Sequence, residues 1–199
     1  KFFHEQMHAD LMEYHELEHD IREAIQLGQF HLAYQAKVNV RVNQLQGLEA
    51  LLRWNSPTRG NVSPGNFIPV AEESGHIIPL GYWVLNEVCL TLRSWQDKGL
   101  TLVPVSVNVS ARQFQQPDFH KRVAEVLRKH SIDPSLIEIE LTEGLVMEDI
   151  DSAQRELAQL KRSGLRISID DFGTGYSCLS YLRRFPIDVL KIDRSFVQE

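Results

Sequence analysis

VPVSVNVS, residues 103–110, decides what kind of sheet this chain builds. Side chains alternate across a strand, so Val105, Val107 and Val109 share one face while Ser106, Asn108 and Ser110 share the other. The same division recurs in three later runs. Ile137, Ile139 and Leu141 stand against Glu138, Glu140 and Thr142. Leu165, Ile167 and Ile169 stand against Arg166, Ser168 and Asp170, and Leu190 and Ile192 against Lys191 and Asp193. A doubly wound open sheet buries both strand faces under helices and reads as unbroken apolar runs. These strands are apolar on one side only. They nevertheless alternate with helical stretches, YWVLNEVCLTLRSWQDKG (82–99), FHKRVAEVLRKHS (119–131) and DIDSAQRELAQLKRSG (149–164), which implies parallel strands with helical crossovers. A closed barrel satisfies both observations. Helices cover the apolar outer face, and the polar side chains point into the lumen near the carboxyl ends of the strands, where such enzymes keep their chemistry.

The rest of the chain sets bounds on function. With 199 residues, 43% of them hydrophobic and 24% charged, it is long enough for one sizeable core and reads as a soluble globular chain. A net charge of -6 argues against duplex nucleic acid as a partner, because sequence-independent binding there needs an excess of Lys and Arg. Cys89 and Cys178 lack the CxxC spacing of a zinc or redox site and are too few for a disulfide framework, which fits the cytoplasm. No apolar run approaches the roughly 20 residues of a membrane helix, so any anchor of the parent protein lies outside this sequence. Residues 1–29 read as a helical connector ending at Gly28, and the alternation of strands and helices occupies residues 30–199. His4, His8, His15 and His19 fall at helical spacing, but nothing nearby supplies further ligands, so a solvated helix is expected there rather than a zinc site. NSPTRGNVSPGNF (55–67) reads as a surface loop.

In such a barrel Glu49, Asn108, Glu140, Asp170 and Lys191 come from five strands and converge on one lumen mouth, with Asp171 following where the chain leaves its strand. Each has an ordinary alternative: a carboxylate paired with Lys191, a turn amide for Asn108, a turn or cap for Asp170 and Asp171. Together, four carboxylates and one amide oxygen make a hard, oxygen-only set suited to magnesium or manganese. Two such ions roughly 4 Å apart form a clamp for in-line attack of water on a phosphodiester, and adjacent carboxylates can serve both.

Several motifs in order resemble the EAL domains, the cyclic di-GMP phosphodiesterases: GLEALLRW (47–54), FIPVAEESG, SVNVSARQF, EIELTEG, DDFGTGYSCLSYL and LKIDRSFV. The resemblance implies a TIM-like (β/α)8 barrel with an antiparallel first strand, and hydrolysis of cyclic di-GMP to linear pGpG with two Mg2+ or Mn2+ ions. It maps the metal ligands onto Glu49, Asn108, Glu140, Asp170 and Asp171. Lys191 takes the role of the lysine that holds the attacking water, and Glu143 that of the glutamate bracing the loop after Asp171. Gln35, Leu51 and Arg53 fall at substrate-lining positions, Arg53 as a fork for phosphate. It further implies a homodimer and an upstream diguanylate cyclase-type or sensor domain. Ala36 stands where Pro is common, and Cys178 where a second Ser is common. The chain ends just past the sixth strand-like run, whereas such a barrel typically has about 250 residues, so truncation after the sixth strand is expected. Two other readings stay open: a receptor that binds cyclic di-GMP without cleaving it, and another barrel enzyme acting on a phosphorylated metabolite.

Overall fold

The alternation described above becomes a single curled sheet in the computed structural model, which describes residues 2–173 and 183–196. A long helix α1 (Phe2–Leu27) leads into strands β1 (Phe30–Asn39), β2 (Gln44–Ser56) and β3 (Gly60–Val62), then helices α2 (Pro64–Ser74) and α3 (Ile77–Asp97). Strand β4 (Val105–Asn108) follows, then helices α4 (Ala111–Phe114) and α5 (Phe119–His130), strand β5 (Ile137–Thr142), and helices α6 (Glu143–Glu148) and α7 (Ile150–Arg162). Strands β6 (Arg166–Phe172) and β7 (Val189–Ile192) complete the sheet among the described residues, and a 3-10 turn, Arg194–Phe196, follows.

The sheet order is β1-β2-β4-β5-β6-β7, with β3 paired to β2. β1 and β2 are antiparallel, as are β2 and β3; the other pairs are parallel. Strands that follow one another in chain order without reversal wind in one direction, as in a barrel. The curl is visible in one contact: Lys191 on β7 reaches Glu49 on β2 at 3.2 Å. Four strand spacings separate them in the sheet order, about 19 Å if the sheet were flat, beyond the combined reach of the two side chains. The fold is therefore an α/β half-barrel with an antiparallel first strand, open between β7 and β1 among the described residues.

The outer face carries the core. Val105, Val107, Ile137, Ile139, Leu141, Ile167 and Ile169 are buried in one cluster with Val88 and Leu92 of α3, Val123 and Leu127 of α5, and Leu157 and Leu160 of α7. Each such side chain contributes roughly 1.5–3 kcal/mol by leaving water, so helix-side burial holds the strands in register. The inner face is polar and yet buried at Ser106, Glu138, Glu140 and Ser168, which a lumen produces and a solvated sheet face does not.

Two expectations need correction. Residues 55–67 are not simply a loop. Gly60–Val62 pairs with β2 across a tight turn, and Pro64 starts α2, where its missing N–H costs nothing in the first helical turn. The helical connector is not solvated throughout, since Leu17, Ile21 and Ala24 of α1 are buried against Phe30, Trp54 and Phe67. From Leu17 onward the helix is part of the domain's core. His15 and His19 lie beside Glu18 and Glu23 on its outer side, and no metal-type cluster forms among the described residues. Residues 174–182, Cys178 among them, lie outside the described residues.

One ion pair ties the layers together. Both oxygens of Asp188, at the entry to β7, accept from Lys161 of α7 at 2.8 Å, and one also accepts the Ile167 N–H of β6 at 2.8 Å. Burial works to raise this carboxyl, but the Lys161 and Ile167 bonds overcome it and hold it below the ordinary range. A lowered folded-state pKa means that the stabilisation is complete above the ordinary carboxyl value, about 4, and is lost as pH falls through the folded one. Asp188→Asn is expected to lower unfolding free energy by about 1–3 kcal/mol at pH 7. Urea unfolding at pH 7 and pH 3 checks it: the deficit should shrink at the lower pH, and an equal deficit at both would remove the ionic explanation.

Candidate active site

The parallel register lines the polar residues up. Glu49 pairs with Ser106 across β2 and β4, Asn108 with Glu140 across β4 and β5, and Thr142 with Asp170 across β5 and β6. Alternation does the rest, projecting Glu49, Asn108, Glu140, Asp170 and Lys191 from successive strands toward one mouth. Lys191 stands at their meeting point. Its Nζ donates to Glu49 Oε2 at 3.2 Å, to Asp170 Oδ2 at 2.8 Å and to Glu140 Oε1. Asn108 Nδ2 donates to Glu49 Oε1 at 3.0 Å and so steers that carboxylate.

Three carboxylates around one ammonium leave an excess of negative charge, and burial and pairing move the groups in different directions. Burial pushes Glu140 up to about 7, with neighbouring Asp170 adding to the rise and Lys191 opposing it. Asp170 goes the other way: burial would raise it, but the bonds from Glu140, Lys191 and the Asp171 N–H hold it below the ordinary range. Lys191 is held above its ordinary value, because the pull of Asp170, Glu140 and Glu49 exceeds the cost of burying its charge. The cluster is short of positive charge.

Asp171 follows Asp170 as an exposed residue near the end of β6. Its φ of 53° is left-handed and coincides with the register break between Ile169 and Phe172, so the alternation that would turn it away from the lumen fails there. Asp is among the few residues that tolerate this region. Its carboxyl is raised by burial, then by Asp170 and Asp193, against the pull of Lys191. Gly173 follows at φ 101°, a conformation glycine alone adopts readily, and a methyl group there would overlap the Phe196 ring. Glu143 Oε2 accepts the Gly173 N–H at 2.9 Å, which fixes the start of the next loop.

Beside the cluster lies a cleft of about 580 Å3 lined by Leu51, Arg53, Asn108 and Glu140, with Ile68, Leu80 and Val109 on its apolar side. Glu49, Leu51 and Arg53 alternate along β2 and so share a face. Arg53 Nη1 donates to the Leu52 carbonyl at 2.8 Å. Gln35 on β1 lies opposite Glu49 in register, at the rim. Sequence reasoning missed Lys37, two residues along β1 from Gln35, whose ammonium bonds Ser106, Glu138 and Glu140 beneath the mouth. The alternation of Gln35 and Lys37 was the available signal.

The donor chemistry fits a divalent cation. Among the described residues the carboxylates do not close on one another as a ready ligand cage; they close on an ammonium, so a cation-binding point exists and Lys191 fills it. All candidate donors from Glu49, Asn108, Glu140, Asp170 and Asp171 are oxygens, the set that magnesium or manganese takes.

A half-barrel with acidic residues and a lysine at the carboxyl ends of its parallel strands carries its polar groups where barrel enzymes keep their chemistry. The chain belongs to the EAL domain family, whose profile matches residues 18–199. It is 44% identical over 198 residues to the bifunctional diguanylate cyclase/cyclic di-GMP phosphodiesterase MucR of Pseudomonas aeruginosa, covering 100% of this chain and 29% of that protein. It is 41% identical over 197 residues to the cyclic di-GMP phosphodiesterase PdeR of Escherichia coli, covering 99% and 30% respectively. A solved structure of the MucR phosphodiesterase in complex with c-di-GMP superposes with a TM-score of 0.88 at 45% identity, over 92% of this chain and 74% of that one. The chain thus spans under a third of the length of these two curated relatives.

Proposed function

We propose that this domain hydrolyses one phosphodiester of cyclic di-GMP to linear pGpG in a divalent-cation-dependent reaction. The observation that carries the reading is the convergence of Glu49, Glu140 and Asp170 on a single cation, Lys191 Nζ, at the edge of the cleft holding Arg53. Its relatives MucR and PdeR bear the phosphodiesterase name.

Glu49, Asn108, Glu140, Asp170 and Asp171 would hold the ions, which when bound supply positive charge to the scissile phosphate and make an attacking water more acidic. The chain's own residues do the positioning. Arg53 offers a planar fork to a phosphate oxygen, and Leu51 and Gln35 flank the ligand. Lys191, sharing its carboxylate partners with the bound ions, donates to the incoming water and orients it in line with the bond that breaks. Water adds its oxygen to phosphorus, the phosphorus–oxygen bond to the 3′ carbon's oxygen breaks, and one of the water's protons ends on that oxygen, which leaves as the hydroxyl. Glu143, through Gly173, keeps the segment after Asp171 in place.

No helix among the described residues is long and apolar enough to cross a membrane. We place the domain in the cytoplasm, joined in the whole protein to a cyclase-type or sensor domain, as the 29% and 30% coverage of its relatives supports. A homodimer is expected from the family resemblance, and light scattering checks it.

Incubation of the full-length protein with cyclic di-GMP and Mn2+ or Mg2+, followed by chromatography, is expected to yield pGpG. Calcium, which favours larger and looser coordination, should block turnover while leaving the ligand bound. Cyclic di-GMP bound but uncleaved in Mn2+ would make the domain a receptor instead, and full turnover after exhaustive chelation would remove the cation from the account.

A further inference from the structure

Lys37 occupies a layer of the lumen below the site described above. It pairs with Gly47 of β2, where a Cβ would lie 3.0 Å from the Pro104 carbonyl oxygen and in ordinary contact, 4.0 Å, with Lys37 Cδ. The stem crosses β2 to reach β4 and β5. There Nζ donates to Ser106 Oγ at 2.5 Å, to Glu138 Oε1 at 3.0 Å and to Glu140 Oε2 at 3.2 Å.

These three bonds differ in what they hold. Glu138 has other partners: the Ser106 hydroxyl at 2.6 Å on Oε1 and Arg166 Nε at 3.3 Å on Oε2. Its Oε1 also accepts from Lys37, so Ser106 and Arg166 hold in place the carboxylate that anchors Lys37. Glu140 has its two oxygens divided between two ammoniums, Oε1 to Lys191 at the mouth and Oε2 to Lys37 beneath. Its side chain is fully buried, where an isolated carboxylate would be neutralised or would rotate to find a partner. Lys37 and Arg166 bring two positive charges to the one negative charge of Glu138, and the surplus faces Glu140.

We infer that Lys37 is a positioning residue for the hydrolysis proposed above, an inference that rests on that reading: it fixes the direction of the Glu140 carboxylate so that Oε1 faces the mouth. Ser106 and Glu138 lie two residues before Asn108 and Glu140 on their strands, about 6.6 Å deeper. Lys37 therefore acts through Glu140 and not on the substrate.

The test compares the unsubstituted full-length protein with Lys37→Met, which keeps the stem, Lys37→Gln, which keeps one uncharged donor, and Lys37→Arg, which keeps the charge. Steady-state kinetics give kcat and KM for cyclic di-GMP. Electron paramagnetic resonance of free Mn2+ measures ion binding without substrate, and a melting curve reports folding. Losing such an outer partner typically costs 10–100-fold in metal affinity or activity, so Lys37→Met should lower kcat by about 10–100-fold and weaken Mn2+ binding by about 10-fold or more, with KM nearly unchanged. Lys37→Arg should recover most of both. If Lys37→Met does not fold, Lys37→Gln should show the same kcat loss in folded protein. Unchanged kcat and Mn2+ binding in a folded Met or Gln variant would overturn the inference, as would a rise in KM alone. An unsubstituted protein that binds Mn2+ without cleaving cyclic di-GMP would overturn the hydrolase reading instead, and the Mn2+ affinities of the variants would still decide what Lys37 does to Glu140.

Discussion

Asp170→Asn is expected to lower kcat for cyclic di-GMP by well over about 100-fold, more than the loss of an outer partner costs, while lowering the melting temperature of the cation-free protein by only about 2–6 °C, as the loss of one charged hydrogen bond would. Asp170 Oδ2 bonds Lys191 at 2.8 Å and Oδ1 accepts the Asp171 N–H at 2.9 Å. An asparagine oxygen can keep the second bond, so the local backbone survives. What disappears is one negative charge whose bonds to Glu140, Lys191 and the Asp171 N–H hold it below the ordinary range, so it contributes modestly to stability at neutral pH, while the proposed cation site loses a charged ligand. Catalysis and stability should therefore separate. Steady-state rates in Mn2+ beside a melting curve in chelator measure both, and a fall in melting temperature that matched the fall in kcat would mean that Asp170 is a structural partner of Lys191 and little else.

Lys191→Met should have the converse effect on stability. It leaves Glu49, Glu140 and Asp170 facing one another without their shared counter-ion. Removing one partner of a buried charge pair typically costs 3–5 kcal/mol; with the Lys191 side chain 27% exposed, the lower end, about 3 kcal/mol, applies. For a domain of this size that is a drop of about 6–12 °C in melting temperature. Mn2+ should restore much of it, because the ion supplies the positive charge the variant lacks and binding to the folded state stabilises it. Turnover should stay low even in saturating Mn2+, while the affinity for cyclic di-GMP measured in Ca2+ changes little, since the proposed partner of Lys191 is the attacking water. A melting temperature indifferent to the substitution would contradict the charge account. An affinity loss as large as the turnover loss would make Lys191 a substrate contact.

Much of this arrangement was legible in the sequence, for a physical reason. Alternation in VSVN, IEIELT and RISID is a backbone property, so it reports which residues share a face before any tertiary contact is known. That was enough for the half-barrel and for the grouping of Asn108, Glu140, Asp170 and Lys191. Features that depend on contacts between distant segments were not legible. The left-handed φ of Asp171 is a local break imposed where β6 meets β7. Gly60–Val62 is a strand only because β2 runs past it, and the Pro and Gly around it carry a turn signal of their own. Ile21 and Ala24 look like residues of a solvated helix until Trp54 and Phe67 are folded against them. Lys37 was hidden because a lone lysine on an edge strand usually faces water. Its partners Ser106, Glu138 and Glu140 lie on β4 and β5, far away in sequence, and give it a different destination.

The central claim is that the carboxylate cluster around Lys191 is a divalent-cation site, and anomalous diffraction from crystals of the full-length protein soaked in Mn2+ tests it most directly. The expected result is manganese signal bounded by Glu49, Asn108, Glu140 and Asp170, with the Lys191 ammonium moved off the point it holds in the cation-free protein. An active protein whose manganese sits elsewhere, with Lys191 still bonded to Glu49, Glu140 and Asp170, would contradict it.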